Sequence, residues 1–518
     1  MHVDYSLYLV TDSTPAILGG KDLVPIVEAA IKGGVTVVQY RDKTSETAQL
    51  VHTASRLHQV TQRYDVPLLI NDRLDVAQAV GAEGVHIGQD DMDLKTARRL
   101  LGPDAIIGVT ASSAAEALAA AADGASYLGI GTVYATPTKN NSKSIIGPAG
   151  VRAILDSLSR QFAQMPVVAI GGINAANAQR IMFQAAHPAK ALSGVAVVSA
   201  IIAANDPESI ARRLREAVAT VPTTLSPHAA GSTSQEQLLS KVPGVVRKVG
   251  QVGPLCHNMT NLVVQNFAAN VAICIGASPI MANYGEEARD LAGLGGSLVV
   301  NMGTVTPDGL ANYSQAIRAY NEVGGPVLFD PVGGGATEVR RGAVKTLMSV
   351  GFFDVIKGNE NEILTVLGER SVRQKGVDSA SSTSDDQAKA ASVRALAARE
   401  KNIALMTGST DFLSDGERTI AIKNGHRFLG LITGSGCTLG TTVASFLAIE
   451  KRDRLLAALA GILVFEIAAE IAAERVDVKG PGTFVPAFLD SLRSIAEAAE
   501  REESDWLRRA KISIMTHV

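Results

Sequence analysis

Cysteine is scarce in this chain: Cys256, Cys274 and Cys437 are the only three among 518 residues. An odd, sparse count excludes a disulfide framework as the source of stability and points to a reducing, cytoplasmic setting. A dominant charge is missing too. The 48 Lys and Arg nearly balance 51 Asp and Glu, for a formal net charge of −3, so neither nucleic acid nor an anionic membrane is an expected partner. The longest apolar stretches, near 267–282 and 462–473, are interrupted by Asn270, Glu466 and Glu470, and neither is expected to span a bilayer. The opening MHVDYSLYLVTD lacks a charged region followed by an apolar one, so no secretory leader is expected. Aromatics are thin, at 4%.

Glycine and alanine are abundant instead, with 48 Gly residues and 46% hydrophobic residues overall. That mixture suits α/β folds, where helices lie close on a sheet and glycine-rich loops meet ligands. A chain of 518 residues exceeds what one hydrophobic core supports. The stretch 221–241, VPTTLSPHAAGSTSQEQLLSK, is rich in Pro, Ser, Thr and Gly and reads as a linker. Domains are therefore expected at 1–222 and 239–518, with 223–238 between them. A second polar stretch, 374–390, is expected to be a mobile surface insertion in the C-terminal half.

The N-terminal half has a regular beat. Short β-rich runs at 6–11, 35–40, 67–70, 84–87, 106–109, 127–130, 167–170 and 195–198 alternate with Ala-rich helical stretches such as 23–32 and 113–122. Eight strands alternating with helices predict a (β/α)8 TIM barrel. An open doubly wound sheet competes, but no GxGxxG follows the first strand. Polar residues follow nearly every strand: Gln39, Arg41 and Lys43, then Asn71 and Asp72, then Asp90 and Asp91, Thr110, then Thr136, Thr138 and Lys139, the Gly171–Gly172 pair, and Val198–Ser199. In a barrel these ends share one rim, where such folds carry their sites. Any one of them alone reads as a solvated loop residue; the whole ring does not. Asp72 and Asp91 suit one Mg²⁺ that also holds phosphate oxygens. Arg41, Lys43 and Lys139 suit a diphosphate, and Gly172 with Ser199 suits a monophosphate. The ring therefore predicts two phosphorylated ligands, Mg²⁺ and a diphosphate leaving group. No nucleophile–base constellation lies on this rim, and His86, inside the fourth strand, is expected to be a packed, hydrogen-bonded barrel residue.

The motifs QYRDK (39–43), IND (70–72), GVHIGQDD (84–91), GIGTVYATPTK (129–139), AIGGI (169–173) and VAVVSAI (195–201) resemble thiamine-phosphate synthase. The resemblance implies joining a hydroxymethylpyrimidine diphosphate to a hydroxyethylthiazole phosphate with release of pyrophosphate. It implies that Gln39, Arg41, Lys43, Asn71 and Lys139 hold the pyrimidine diphosphate, with Lys139 stabilising the leaving group. It further implies Mg²⁺ on Asp72 and Asp91, and the thiazole phosphate on Thr136, Thr138, Gly172, Val198 and Ser199. Thr110 stands where that family usually has Ser, and the hydroxyl survives.

In the C-terminal half, short apolar strands give way to glycine-rich loops, predicting a second α/β unit. ITGSGCTLG (432–440) precedes an apolar helical run, placing unpaired backbone N–H groups at a positive helix end suited to a transferring phosphoryl group. Asn359 and Glu362 form an NxxE pattern suited to Mg²⁺. No GxxxxGK[ST] occurs, which disfavours a P-loop kinase. Together with PLCHNMTN (254–261) and PVLFDPVGGGAT (326–337), these segments resemble hydroxyethylthiazole kinase, of the ribokinase-like superfamily. That resemblance implies thiazole alcohol contacts at Met281 and Gly434, ATP contacts at Arg340 and Thr407, and a homo-oligomer with active sites at subunit contacts. Cys437 stands where many ribokinase relatives carry a catalytic Asp. At a helix N-terminus its thiol pKa is expected to fall, so that it serves the alcohol proton; a small buried core thiol is the alternative. Two other readings stay open: a regulator that has lost catalysis, and the same folds acting on other substrates.

Overall fold

The computed structural model describes residues 3–134, 136, 145–187, 189–220, 234–368 and 385–515. The chain folds as two compact units, Met1–Thr223 and Thr224–Val518. Thr138 and Lys139, most of the linker and residues 374–384 of the insertion lie outside the described residues.

In the first unit the strands are β1 (Leu7–Val10), β2 (Val37–Tyr40), β3 (Leu68–Asn71), β4 (Gly84–Ile87), β5 (Ile106–Ala111), β6 (Tyr127–Ile130), β7 (Val167–Ile170) and β8 (Gly194–Val197). All pair in parallel in chain order, and β8 closes back on β1 through Leu7↔Val195 and Leu9↔Val197, giving a closed barrel. The period of two along each strand sorts the side chains. Leu7, Leu9, Val38, Leu68 and Val85 face the helices in one core, while Tyr8, Val37, Leu69, Tyr127 and Val168 fill the lumen. The lumen is therefore packed below and open only where the strands end.

The second unit is a nine-stranded sheet. Its strands are β9 (Leu255–Met259), β10 (Ser278–Ile280), β11 (Ser297–Asn301), β12 (Val327–Asp330), β13 (Val355–Asn359), β14 (Ile403–Thr407), β15 (Asp411–Ser414), β16 (Thr419–Ile422) and β17 (Ile512–Ile514). The spatial order is β10-β9-β11-β12-β13-β14-β15-β16-β17, parallel through β14 and antiparallel beyond it. One face packs on helices Gln235–Val252, Ser435–Ile449, Arg454–Glu474 and Pro481–Glu500; the other packs on Pro307–Val323, Glu338–Val350 and Asp386–Glu400. Helix Arg454–Glu474 is long and apolar enough to cross a membrane, with mean hydropathy 2.2, but 94% of that window is buried inside the unit. It is a core helix.

Two boundaries differ from the sequence expectation. The linker expected to run to residue 238 ends earlier, because a helix starts at Gln235. Ser234 accepts from Gln237 N–H, and the Gln237 side chain accepts from Ser234 N–H, a reciprocal cap. Likewise helix Asp386–Glu400, capped by Asp385, takes up the end of the stretch expected to be an insertion.

Candidate active sites

The barrel rim opens into a cavity of about 600 Å³. Of the sequence-predicted residues, Gln39, Arg41, Asn71, Thr110, Thr136, Gly172, Val198 and Ser199 all line it. Gln39 is buried in the wall. Arg41 is steered by two groups at the end of β1: Thr11 Oγ1 accepts from its N–H at 2.9 Å, and Asp12 Oδ2 accepts from Nη1 at 3.0 Å. Asp12 is almost wholly buried, and sequence reasoning missed it; its only signal was its place one residue beyond a strand end.

Lys43 forms an ion pair with Asp72, whose backbone is left-handed at φ 62°. Asp is among the residues that tolerate that region. Burial, reinforced by hydrogen bonding to Asp91, pushes the Asp72 carboxyl up to about 6. Asp91 is held below its usual range, chiefly by that same hydrogen bond to Asp72. The two carboxyl groups thus hydrogen-bond each other beside the Lys43 ammonium and titrate as a pair. Gly88 N–H donates to Asp91 Oδ2 at 2.7 Å and fixes its orientation.

Gly171 and Gly172, which line the cavity, have φ of 108° and 65°. A Cβ on Gly171 would fall 2.6 Å from Thr132 Cγ2, so the close approach there needs glycine. The short helix Ser199–Ile202 begins beside this turn, and Asn177 Nδ2 donates to Gly172 O at 3.0 Å. Backbone N–H groups from two loops converge in the manner of a phosphate cradle.

The second site lies at the C-terminal ends of β11 to β14. Asp330 is fully buried at the end of β12. Its Oδ2 accepts from Lys357 Nζ at 3.2 Å and from Asn301 Nδ2 at 3.1 Å. Asn301 Oδ1 in turn accepts from Asn261 Nδ2 at 3.0 Å, and that same amide lies 3.5 Å from Cys437 Sγ. Asp330 Oδ1 is buried with no partner among the described residues. Lys357 is raised despite burial because Asp330 faces it, so the ammonium stays charged. A Cβ on Gly436 would lie 3.6 Å from Lys357 Nζ, which places that cation beneath the first turn of helix Ser435–Ile449. Gly434 caps this helix in the left-handed region, φ 82°, and a Cβ there would strike Val264 Cγ2 at 2.5 Å.

The Cys437 thiol is not lowered but pushed up to about 11, first by burial and then by the Asp330 charge, which together outweigh the helix end. Arg340 donates to the carbonyls of Met302, Val332 and Gly303 at 2.7–3.0 Å, so its guanidinium clasps two loops. The cation under the glycine turn is Lys357. Asn359 and Glu362 form a reciprocal helix cap, and Glu362 Oε1 also accepts from Gly333 N–H at 2.8 Å. Burial, with Asp330 adding to it, pushes the Glu362 carboxyl up to about 7. Thr407 sits beside Asn359 in the β13–β14 register, and Met281 follows the edge strand β10. Sequence reasoning missed Asp330, which ends β12, and Lys357, which lies in the middle of β13.

Two family models match the chain: thiamine monophosphate synthase over residues 7–201, and the hydroxyethylthiazole kinase family over 246–498. A probable thiamine biosynthetic bifunctional enzyme of Schizosaccharomyces pombe is 42% identical over 516 residues, covering 98% of each chain. The thiamine biosynthetic bifunctional enzyme of Saccharomyces cerevisiae is 38% identical over 547 residues, covering 97% of each. A thiamine-phosphate synthase of Chloroflexus aurantiacus is 49% identical over 216 residues, covering 42% of this chain and 94% of its own.

Proposed function

The chain belongs to the thiamine biosynthetic bifunctional enzymes, a thiamine-phosphate synthase joined to a hydroxyethylthiazole kinase, and from that premise we propose how its residues divide the two reactions. The kinase phosphorylates hydroxyethylthiazole, and the synthase joins the thiazole phosphate to the pyrimidine diphosphate, so one site makes what the other consumes. The two families between them use ATP and typically Mg²⁺.

For the synthase, the observation that carries the reading is a single cavity lined by Gln39, Arg41 and Asn71 and by the Gly171–Gly172 turn, with the Lys43–Asp72 ion pair directly after Asn71 in the chain. Arg41, Lys43 and Lys139 hold the diphosphate, with Gln39, Asn71 and Thr110 around the pyrimidine. Gly172, Val198, Ser199, Thr136 and Thr138 hold the thiazole phosphate. The methylene–oxygen bond to diphosphate breaks, and the thiazole nitrogen forms the new bond to that carbon. The cationic rim stabilises the departing charge, and holding both reactants in one cavity supplies orientation. Asp72 and Asp91 fit Mg²⁺ because two carboxyl groups near enough to hydrogen-bond each other offer hard oxygens to one cation.

For the kinase, the carrying observation is the Lys357–Asp330 pair under the Gly434–Cys437 turn. Lys357 and the first-turn N–H groups face the transferring phosphoryl group, and Thr407 borders the ATP site. Met281 and Gly434 border the thiazole alcohol. Cys437, kept as a neutral thiol, orients the alcohol by hydrogen bonding. The unpartnered Asp330 Oδ1 and the raised Glu362 are the oxygens that fit Mg²⁺, with Asn359 fixing Glu362 as its cap. When bound, Mg²⁺ neutralises phosphate oxygens in both sites.

Leu262, Val263 and Leu431, 60–71% exposed beside the Gly434 turn, support a homo-oligomer with kinase sites at subunit contacts. Light scattering of the purified chain tests that. Three unpaired cysteines support a cytoplasmic location. The activity test is incubation with pyrimidine diphosphate, unphosphorylated thiazole and Mg²⁺, with and without ATP. Thiamine phosphate is expected only with ATP. Thiazole phosphate accumulating alone would overturn the barrel assignment, and no product at all would overturn both.

A further inference from the structure

Along the wall of the synthase cavity a continuous chain of hydrogen bonds crosses the barrel lumen. Gln39 Nε2 donates to Tyr8 Oη at 2.7 Å, and Tyr8 Oη lies 2.7 Å from Tyr127 Oη. Tyr127 Oη lies 2.8 Å from His86 Nδ1, and His86 Nε2 lies 2.8 Å from Thr110 Oγ1. The chain runs from β2 through β1, β6 and β4 to β5; Gln39, Tyr8, His86 and Thr110 line the cavity, and Tyr127 joins them from behind.

Its central rings occupy spaces that neighbouring strands leave open. A Cβ on Gly108 would fall 2.1 Å from Tyr127 Cζ, and one on Gly129 would fall 3.1 Å from His86 Cε1. Glycine inside a strand weakens it, so two of them in adjacent strands mark room made for these rings. Tyr5 packs against Tyr127 in a tilted pair with ring centroids 4.7 Å apart and pins it further.

Each link holds one proton, so the links share one direction. With the Gln39 amide as donor, Tyr8 donates to Tyr127 and Tyr127 donates to His86 Nδ1. His86 is then the Nε2–H tautomer and donates to Thr110 Oγ1. Thr110 is left with its O–H to donate into the cavity, and Gln39 with its amide oxygen to accept. Reversing the direction requires the Gln39 amide to turn so that its oxygen accepts from Tyr8, and it exchanges both ends together: Thr110 becomes an acceptor and Gln39 a donor toward the cavity.

We propose that Tyr8, Tyr127 and His86 are positioning residues that tie the hydrogen-bonding sense of Thr110 to that of Gln39, so that the pocket reads an amino-substituted pyrimidine and rejects its oxo counterpart. An aminopyrimidine offers a ring nitrogen acceptor and, across the ring, an amino donor. That pattern matches a Thr110 donor on one wall and a Gln39 acceptor on another. An oxo analogue exchanges donor for acceptor at one edge only, which a coupled pair of ends cannot follow. The inference rests on the synthase reading.

The test is Tyr127→Phe in the full chain, which cuts the relay and keeps the ring. Steady-state kcat/KM is measured for the aminopyrimidine diphosphate and for its oxo analogue, with kinase turnover in the same preparation as the reference for intact protein. Expected is a roughly tenfold or greater drop in amino-over-oxo preference, carried mainly by slower use of the amino substrate, with unchanged KM for thiazole phosphate and unchanged kinase turnover. An equal loss on both pyrimidines, or no change, overturns the inference while leaving the synthase reading intact. Wild-type protein that makes no thiamine phosphate overturns that reading and this inference with it. Tyr8→Phe, which breaks the chain one link earlier, carries the same expectation should Tyr127→Phe fail to accumulate.

Discussion

Two basic side chains of the kinase unit differ in what surrounds them, and that difference assigns their work. Arg340 has its guanidinium spent on three backbone carbonyls, whereas Lys357 is buried against Asp330 under the glycine turn. Lys357→Met should lower kinase kcat/KM by about a thousandfold, since a charged donor to a transferring phosphoryl group is lost. Arg340→Ala should instead lower Tm and leave most of the turnover of the folded fraction. Thermal melts and kinetics on both variants separate the two; a large kinetic loss for Arg340→Ala at unchanged Tm would restore the assignment implied by family resemblance. Cys437 invites a similar distinction. A thiol pushed up to about 11 is neutral at working pH, so Cys437→Ala should cost about tenfold in kcat, the scale of one hydrogen bond. A thousandfold loss, or a rate limb tracking thiol ionisation near pH 8.5, would mean that the thiolate acts as base.

At the scale of elements, the N-terminus of helix Ser435–Ile449 depends on one glycine. Gly434→Ala would force a side chain into the left-handed region and onto Val264. It should destabilise the kinase unit by about 2 kcal/mol and abolish thiazole phosphorylation while synthase activity persists. Parallel assays of both activities check this. Helix Arg454–Glu474 carries a different liability, Glu466 buried against Asp411. Burial raises Glu466 well above its ordinary value, with Asp411 adding to it, and raises Asp411 to about 6. Folded-state values above the unfolded ones mean that this pair's contribution is fully present below pH 4 and is lost as pH rises through the folded values. Glu466→Gln keeps the hydrogen bond and removes the titration, so at pH 8.5 its Tm should exceed wild type by a few degrees. The gap should close by pH 5. A Tm difference independent of pH would contradict the raised titration of this pair.

For the whole molecule, the corrected linker boundary has a direct consequence. A kinase fragment beginning at residue 239 loses the Ser234 cap and the fully buried Leu238. It should be less stable than one beginning at 234 by about 3 kcal/mol, read as a lower denaturant midpoint at equal slope. Equal midpoints would show that the first helical turn is frayed in solution. Much of this protein was legible beforehand. Strand periodicity read the eight barrel strands to within a residue or two, because inward and outward faces alternate with period two regardless of context. Motifs at strand ends located Gln39, Arg41, Asn71 and Thr110, because every parallel strand of a barrel ends on the same rim. What escaped were side chains whose roles depend on a partner far away in sequence. Asp12 matters through Arg41, Asp330 through Lys357, and Tyr127 through Tyr8 and His86. The Cys437 thiol was misjudged for the same reason: local context promised a helix end that lowers its pKa, while burial and Asp330 raise it. By itself the sequence determined the class of each unit, the family and the rim residues, since patterning and strand-end motifs are local. Only the tertiary structure decided which carboxyl and thiol groups are buried against a charge, that Lys357 lies under the Gly434 turn and where the first kinase helix begins. Those depend on burial and on charges brought together by folding, and electrostatic effects in a low-dielectric interior have no counterpart along the chain.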